Sequence, residues 1–221
     1  MTNIDSIAFN GDHNLGLHAE PTDNFCLINS RLSDKCKNKV SEVLAVDHIE
    51  LNVAGSGLIG IFCSANKNGV ILPKNTEEDE KEILEKQGIN YKILDTKYTA
   101  LGNLILVNDN FCLISEKIAN HKKEIADFFQ VPVEINKIAG LDIVGSCGVV
   151  NKNGLLAHRE TTEEEIVFLE DFFQTSVGIG TANFGSPYVG ALIVANSSGL
   201  LTSHKTTGYE LGRIQEALFP E

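Results

Sequence analysis

The sequence predicts an α/β fold: a closed ring of five ββαβ units of about 43 residues each, a propeller with five-fold pseudosymmetry. Three observations predict it. A glycine set in an apolar run recurs at Gly16, Gly60, Gly102, Gly145 and Gly190, with spacings of 44, 42, 43 and 45. Turn and helix signals recur at fixed offsets behind each of these glycines. The first residues of the chain carry a surplus strand, and the last unit lacks one.

Each unit opens with a hairpin. Six residues after the repeat glycine stand Thr22, Asn66, Asn108, Asn151 and Asn196, and nine residues after it stand Phe25, Gly69, Phe111, Gly154 and Gly199. In Gly60-Ile-Phe-Cys-Ser-Ala-Asn-Lys-Asn-Gly-Val-Ile-Leu72, two apolar runs flank Asn66-Lys-Asn-Gly69. Asn and Gly tolerate the positive φ of hairpin turns, so the first strand is expected to run from the repeat glycine into such a turn.

A helix follows the hairpin. Thr162 with Glu165 and Thr207 with Glu210 are capping-box pairs, and Thr76 with Asp79 is a weaker one. Apolar residues then fall at helical spacing: Ile166, Leu169, Phe172 and Phe173 in one unit, Leu211, Ile214 and Leu218 in another. A short alternating strand closes the unit, as in Val131–Ile135 and His48–Val53. Residues 1–221 thus read as one domain, with units starting near 15, 58, 100, 143 and 188. The fifth unit has no closing strand of its own, and Ile4–Phe9 is expected to supply it. An open array would need polar capping repeats, and neither end shows one.

Composition narrows the function. Apolar residues make up 43% and charged residues 22%, enough for a sizeable core. Net charge is −12, from 18 Lys and Arg against 30 Asp and Glu. Such a surface repels phosphate backbones, which argues against DNA binding or broad nucleic-acid binding. The short clusters Lys35, Lys37, Lys39 and Lys122, Lys123 read as solvated helix faces. Neither a signal peptide nor a membrane span is expected, since the longest fairly apolar stretch, 51–65, is broken by polar residues and glycines. The reading is a cytoplasmic protein. Five cysteines, Cys26, Cys36, Cys63, Cys112 and Cys147, form no C-x-x-C pair, so neither a disulfide framework nor a metal site is expected, and no cofactor.

Five ββαβ units in a ring resemble the pentein fold, which hosts two kinds of function. Guanidine-modifying hydrolases and transferases of that fold use a nucleophilic Cys in the last unit. Here the final cysteine, Cys147, stands in the fourth unit, and Cys26 and Cys112 share one structural register, which argues for packing. The second kind is ribosomal. The stretches Gly57-Leu-Ile-Gly-Ile-Phe62, Asn66-Lys-Asn-Gly-Val-Ile-Leu-Pro73, Ala100-Leu-Gly-Asn103, Gly180-Thr-Ala-Asn-Phe-Gly-Ser186 and Thr206-Thr-Gly-Tyr-Glu-Leu211 resemble the translation initiation factor 6 family in its archaeal form. The sequence departs at His158-Arg159, where the family often has His-Pro. It also ends three residues past Leu218, without the polar extension of eukaryotic members.

The resemblance implies a stoichiometric, non-enzymatic and monomeric binder of the large ribosomal subunit. Its site would be the intersubunit face, on ribosomal proteins near the sarcin–ricin loop with rRNA adjacent, where it would block premature association with the small subunit. It also implies a docking surface at the ring end where the first strands begin. In this sequence that end is expected to present Asn14, Gly16, Gly57, Ile61, Ala100, Leu101, Gly102, Asn103, Ser186 and Tyr188. For the glycines, backbone geometry is an equally good account.

Overall fold

The computed structural model describes residues 3–220. Each unit forms one three-stranded sheet: an antiparallel hairpin extended by a parallel third strand. In the first unit Ala19–Pro21 pairs with Phe25–Asn29, which pairs in parallel with Asp47–Leu51. The same order holds for Ser64–Asn66, Gly69–Pro73 and Tyr91–Leu94, and for Ile105–Val107, Cys112–Ile114 and Val133–Ile135. It holds again for Gly148–Val150, Leu155–His158 and Val177–Gly180. In the fifth sheet Val194–Ala195 pairs with Gly199–Thr202, and the third place is taken by Asn3–Ser6, which runs parallel with Asn3 opposite Gly199. The N-terminal strand therefore completes the fifth unit. It is shorter than expected: Ile7 still donates to the Thr202 carbonyl, while Phe9 turns away to bridge Asp12 and buries its ring.

The middle strands are buried along their whole length because both faces are covered, one by the ring interior and one by a helix. That is why they read as continuous apolar runs. The covering helices are Asp34–Leu44, Glu78–Lys86, Lys122–Phe129, Glu163–Phe173 and Gly208–Leu218. Two of the expected capping boxes form as read, at Thr162 with Glu165 and Thr207 with Glu210. The third shifts by one residue: Glu77 is the cap, paired with Glu80, because the Thr76 hydroxyl donates to the Pro73 carbonyl instead. Under each helix lies its own apolar cluster, such as Leu155, Leu169 and Phe173 in the fourth unit. Burying each such side chain contributes about 1.5–3 kcal/mol. All five cysteines are free and buried within these clusters or against them.

Two expectations are corrected. The repeat glycines do not start strands. They sit in single helical turns, Leu15–Leu17, Ile59–Phe62, Leu101–Leu104, Val144–Cys147 and Val189–Leu192, and the first strands begin after these turns. The turns stand side by side around the ring axis. A Cβ on Gly60 would strike the Gly16 carbonyl oxygen, and so on round to Gly16, which faces the Gly190 carbonyl and closes the circle. Side chains of any size would push the units apart.

The hairpin asparagines, in turn, do not adopt positive φ. Each accepts amides of its own turn through Oδ1, as Asn151 does from Asn153 and Gly154. Each then donates through Nδ2 to the next unit: Asn108 to the Asn151 carbonyl, Asn151 to Asn196 and Asn196 to Thr22, at 3.0–3.1 Å. Asn66, Asn151 and Asn196 also cap the C-terminal carbonyls of the neighbouring helix, at Phe129, Leu218 and Leu44. The repeated asparagine is a clamp between units.

Candidate docking face

In every sheet the second and third strands are parallel, so both arrive at the same end of the ring. There the second strand passes into a helix N-terminus, and the third strand turns back toward the axis. Three of these returns, with a fourth leading from Asn3–Ser6, are tight turns with positive φ: Asn10–Gly11, Ala54–Gly55, Ala139–Gly140 and the three residues Asn183, Phe184 and Gly185. Such turns have amides that point outward, and carboxylates collect them. Glu80 accepts from Ala54 and Gly55 at 2.8 Å, and Glu165 from Ala139 and Gly140 at 3.0 and 2.8 Å. Glu210 accepts from Phe184 and Gly185 at 3.4 and 2.7 Å. These are the capping-box glutamates, so one carboxylate both caps a helix and holds the loop that enters its unit. Burial alone would raise the Glu210 carboxyl. The amides of Thr207 and Gly185 and the hydroxyls of Thr181 and Thr207 hold it below the ordinary value.

The expected docking residues divide into two groups. Leu101 is 0% exposed and belongs to the core, and Gly16 and Gly102 are buried in the axial turns. These three present no side chain to the surface and shape this end through their backbone. Gly57 is half-buried, and a Cβ there would meet the Asn29 side chain. Ile61 and Ala100 are half-buried within and just before their axial turns. Asn14, Asn103, Ser186 and Tyr188 keep polar groups near the surface. Asn14 donates from its backbone and side chain to Asp12 Oδ1, at 2.9 and 3.0 Å. Asp12 also holds His18 at 2.9 Å. Asn103 Oδ1 accepts from the Ser146 hydroxyl at 3.0 Å, which ties units three and four, and its amide nitrogen has no partner among the described residues. Ser186 closes a backbone bridge with Ala182, and Tyr188 leans edge-on against His158 with centroids 5.5 Å apart. Burial holds the His158 imidazole below its ordinary value.

Some features of this end escaped the sequence reading. Arg31, Lys74, Lys117, Arg159 and Lys205 stand exposed, one per unit, just after each second strand. They lie about 43 residues apart in the chain, and their place 14 or 15 residues after each repeat glycine was the available signal. Lys117 pairs with Asp142 and Arg159 with Glu160. His13 Nδ1 is buried without a hydrogen-bond partner among the described residues, beside a cleft between units one and five that is also lined by Asn14, Asn183, Ser186 and Lys205.

Burial pushes Cys147 up to about 12 and raises Cys26, Cys63 and Cys112 as well. The narrow axial channel holds one carboxyl, Glu20, which accepts from the Ala65 amide at 2.8 Å. Burial pushes it up to about 8. No group of three or more His, Cys, Asp or Glu among the described residues is arranged to hold a metal ion, and no described helix is long and apolar enough to cross a membrane.

Fold and site together define a five-bladed ββαβ propeller with buried thiols and one polar, loop-bearing end. The family model described as eIF-6 matches residues 4–217, and the chain belongs to the eIF-6 family. A protein named Translation initiation factor 6 from Pyrococcus horikoshii is 41% identical over 97% of this chain and 98% of its own length. Its namesake from Methanocaldococcus jannaschii is 41% identical over 99% of both. Among solved structures, a Pseudomonas aeruginosa DDAH complexed with citrulline matches at 15% identity and a TM-score of 0.46, covering 74% of this chain and 68% of that one.

Proposed function

We propose that this protein is a non-enzymatic translation initiation factor that binds the large ribosomal subunit at its intersubunit face as a monomer and keeps the small subunit away. Relatives over nearly the whole chain are named Translation initiation factor 6. The observation that carries the docking part is the gathering of Asn14, Asn103, Ser186 and Tyr188 at one rigid end of the ring. A flat surface can meet all of them at once, whereas the outer helices curve away. The exposed cations of the same end are suited to rRNA phosphates at the rim, and the acidic body is suited to basic ribosomal proteins. Buried thiols with raised pKa values speak against the guanidine-modifying alternative.

The test is cosedimentation with purified large subunits at matched salt, with melting temperature as the folding control. Asn103→Arg adds bulk and charge where the side chain meets Ser146, and it should weaken binding by about 1 kcal/mol or more. Asp171→Lys, near the far end of an outer helix, should bind nearly as well as the unchanged protein. Release of Asp171→Lys with normal binding of Asn103→Arg would mean that the wrong face has been chosen.

A further inference from the structure

Four large hydrophobic side chains stand exposed among the described residues, and three of them lie in the fifth unit or on the loop that enters it: Phe184 at 76%, Tyr188 at 42% and Tyr209 at 81%. Phe184 is the costliest. Its φ of +63° lies in the left-handed region that a bulky residue avoids, between Asn183 at +53° and Gly185 at +93°. The turn is held there from several sides. Glu210 takes the amides of Phe184 and Gly185, Asn183 Nδ2 donates to the His13 carbonyl at 2.8 Å, and Asn183 Oδ1 accepts from Ser203 and Thr206. A strained backbone, rigidly supported, thus presents an aromatic ring that contributes nothing to the protein's own core. Strain of this kind points to use.

We infer that Phe184, flanked by Tyr188 and Tyr209, is the apolar anchor of the docking face and inserts into an apolar pocket of a basic protein on the partner. This rests on the docking reading above. Position supports it, because Ser186 and Tyr188 follow Phe184 on the same loop, and Tyr209 stands on the helix turn whose Glu210 holds the Phe184 amide. Charge selects the occupant. A platform that stacks nucleic-acid bases needs a continuous positively charged track beside its aromatics; the five exposed cations of this end stand one per unit, Lys117 and Arg159 are paired with carboxylates, and only Lys205 lines the adjoining cleft, in a chain of −12 overall. An apolar pocket with a basic rim complements it instead. The other four units have no such aromatic group, so the footprint lies off the ring axis, toward the fifth unit and its junction with the first.

Two experiments on the full-length protein test this. Phe184→Gly removes the ring and the strain together, since glycine accepts positive φ freely. The expected result is a melting temperature equal to or above that of the unchanged protein, with large-subunit binding weakened about tenfold or more. Normal binding by Phe184→Gly while Asn103→Arg is released would overturn the anchor and leave the face standing. Normal binding by both would overturn the face itself. In the second experiment, p-benzoylphenylalanine replaces Phe184 and the subunit complex is irradiated. An adduct with a ribosomal protein is expected. An adduct with rRNA, or none from protein that has bound, would overturn the inference.

Discussion

Glu20 shows how much one side chain can depend on its setting. On an exposed strand it would be an ordinary carboxylate. In the axial channel it has no cation beside it, and burial pushes it up to about 8. The folded protein therefore keeps a proton that the unfolded chain releases near 4.5. The stability that this carboxyl contributes is whole below that pH and is lost as pH rises toward 8. The loss is on the order of a few kcal/mol for a shift of this size. Melting temperature measured from pH 5 to 9 should fall through this window. Glu20→Gln, which keeps an acceptor for the Ala65 amide, should flatten the curve and melt higher at pH 8. An unchanged slope would show that Glu20 is solvated. Little of this was legible in the sequence, because Glu20 there is one acidic residue among thirty acids, and only ring closure encloses it. The buried thiols were legible, since their apolar neighbours already described the packing.

At the scale of the element, the capping-box helices join local and long-range structure. Thr162 and Glu165 were readable as a helix start from spacing alone. That Glu165 also collects the amides of Ala139 and Gly140 was not readable, since the partners lie 25 and 26 residues upstream. Glu165→Ala should leave those two amides and that of Thr162 without their acceptor and cost about 1–3 kcal/mol. Urea denaturation measures it, and a cost no larger than that of an ordinary exposed Glu→Ala change would deny the double role. The strands were readable in number, order and alternation, but not in their starts. The pattern of apolar residues around Gly60 suits a strand as well as a helical turn. What decides for the turn is the neighbouring backbone, which the sequence of one unit does not contain. The asparagine clamps were missed for the same reason: turn chemistry and inter-unit bonding call for the same residue.

For the whole molecule, closure is the decisive property, and it was legible because it follows from counting: fourteen strands fall to the units in order and a fifteenth precedes them all. Removing residues 1–9 would expose the edge of Gly199–Thr202 and strip Ile7 and Phe9 from the first unit's core. The truncated chain should melt well below the full one and tend to self-associate, as scanning calorimetry and size-exclusion chromatography would show. A truncated chain that stays monomeric with an unchanged melting temperature would mean that the fifth sheet does not need this strand. The docking face was legible only in part. Topology gathers its loops at one end, but which of their residues point outward depended on axial turns that bury Gly16, Leu101 and Gly102.

The seam at Asn3–Ser6 also makes the ring a mechanical object. Every other unit carries its third strand within its own length, joined to the sheet through a helix. Only the fifth borrows one from the far end of the chain. A force drawing the two ends of the polypeptide apart is therefore resisted first by this one ladder of four residues. The N-terminal strand should peel away there before any helix unwinds, while the Asn196 clamp on Thr22 and Leu44 still holds the fifth unit to the first.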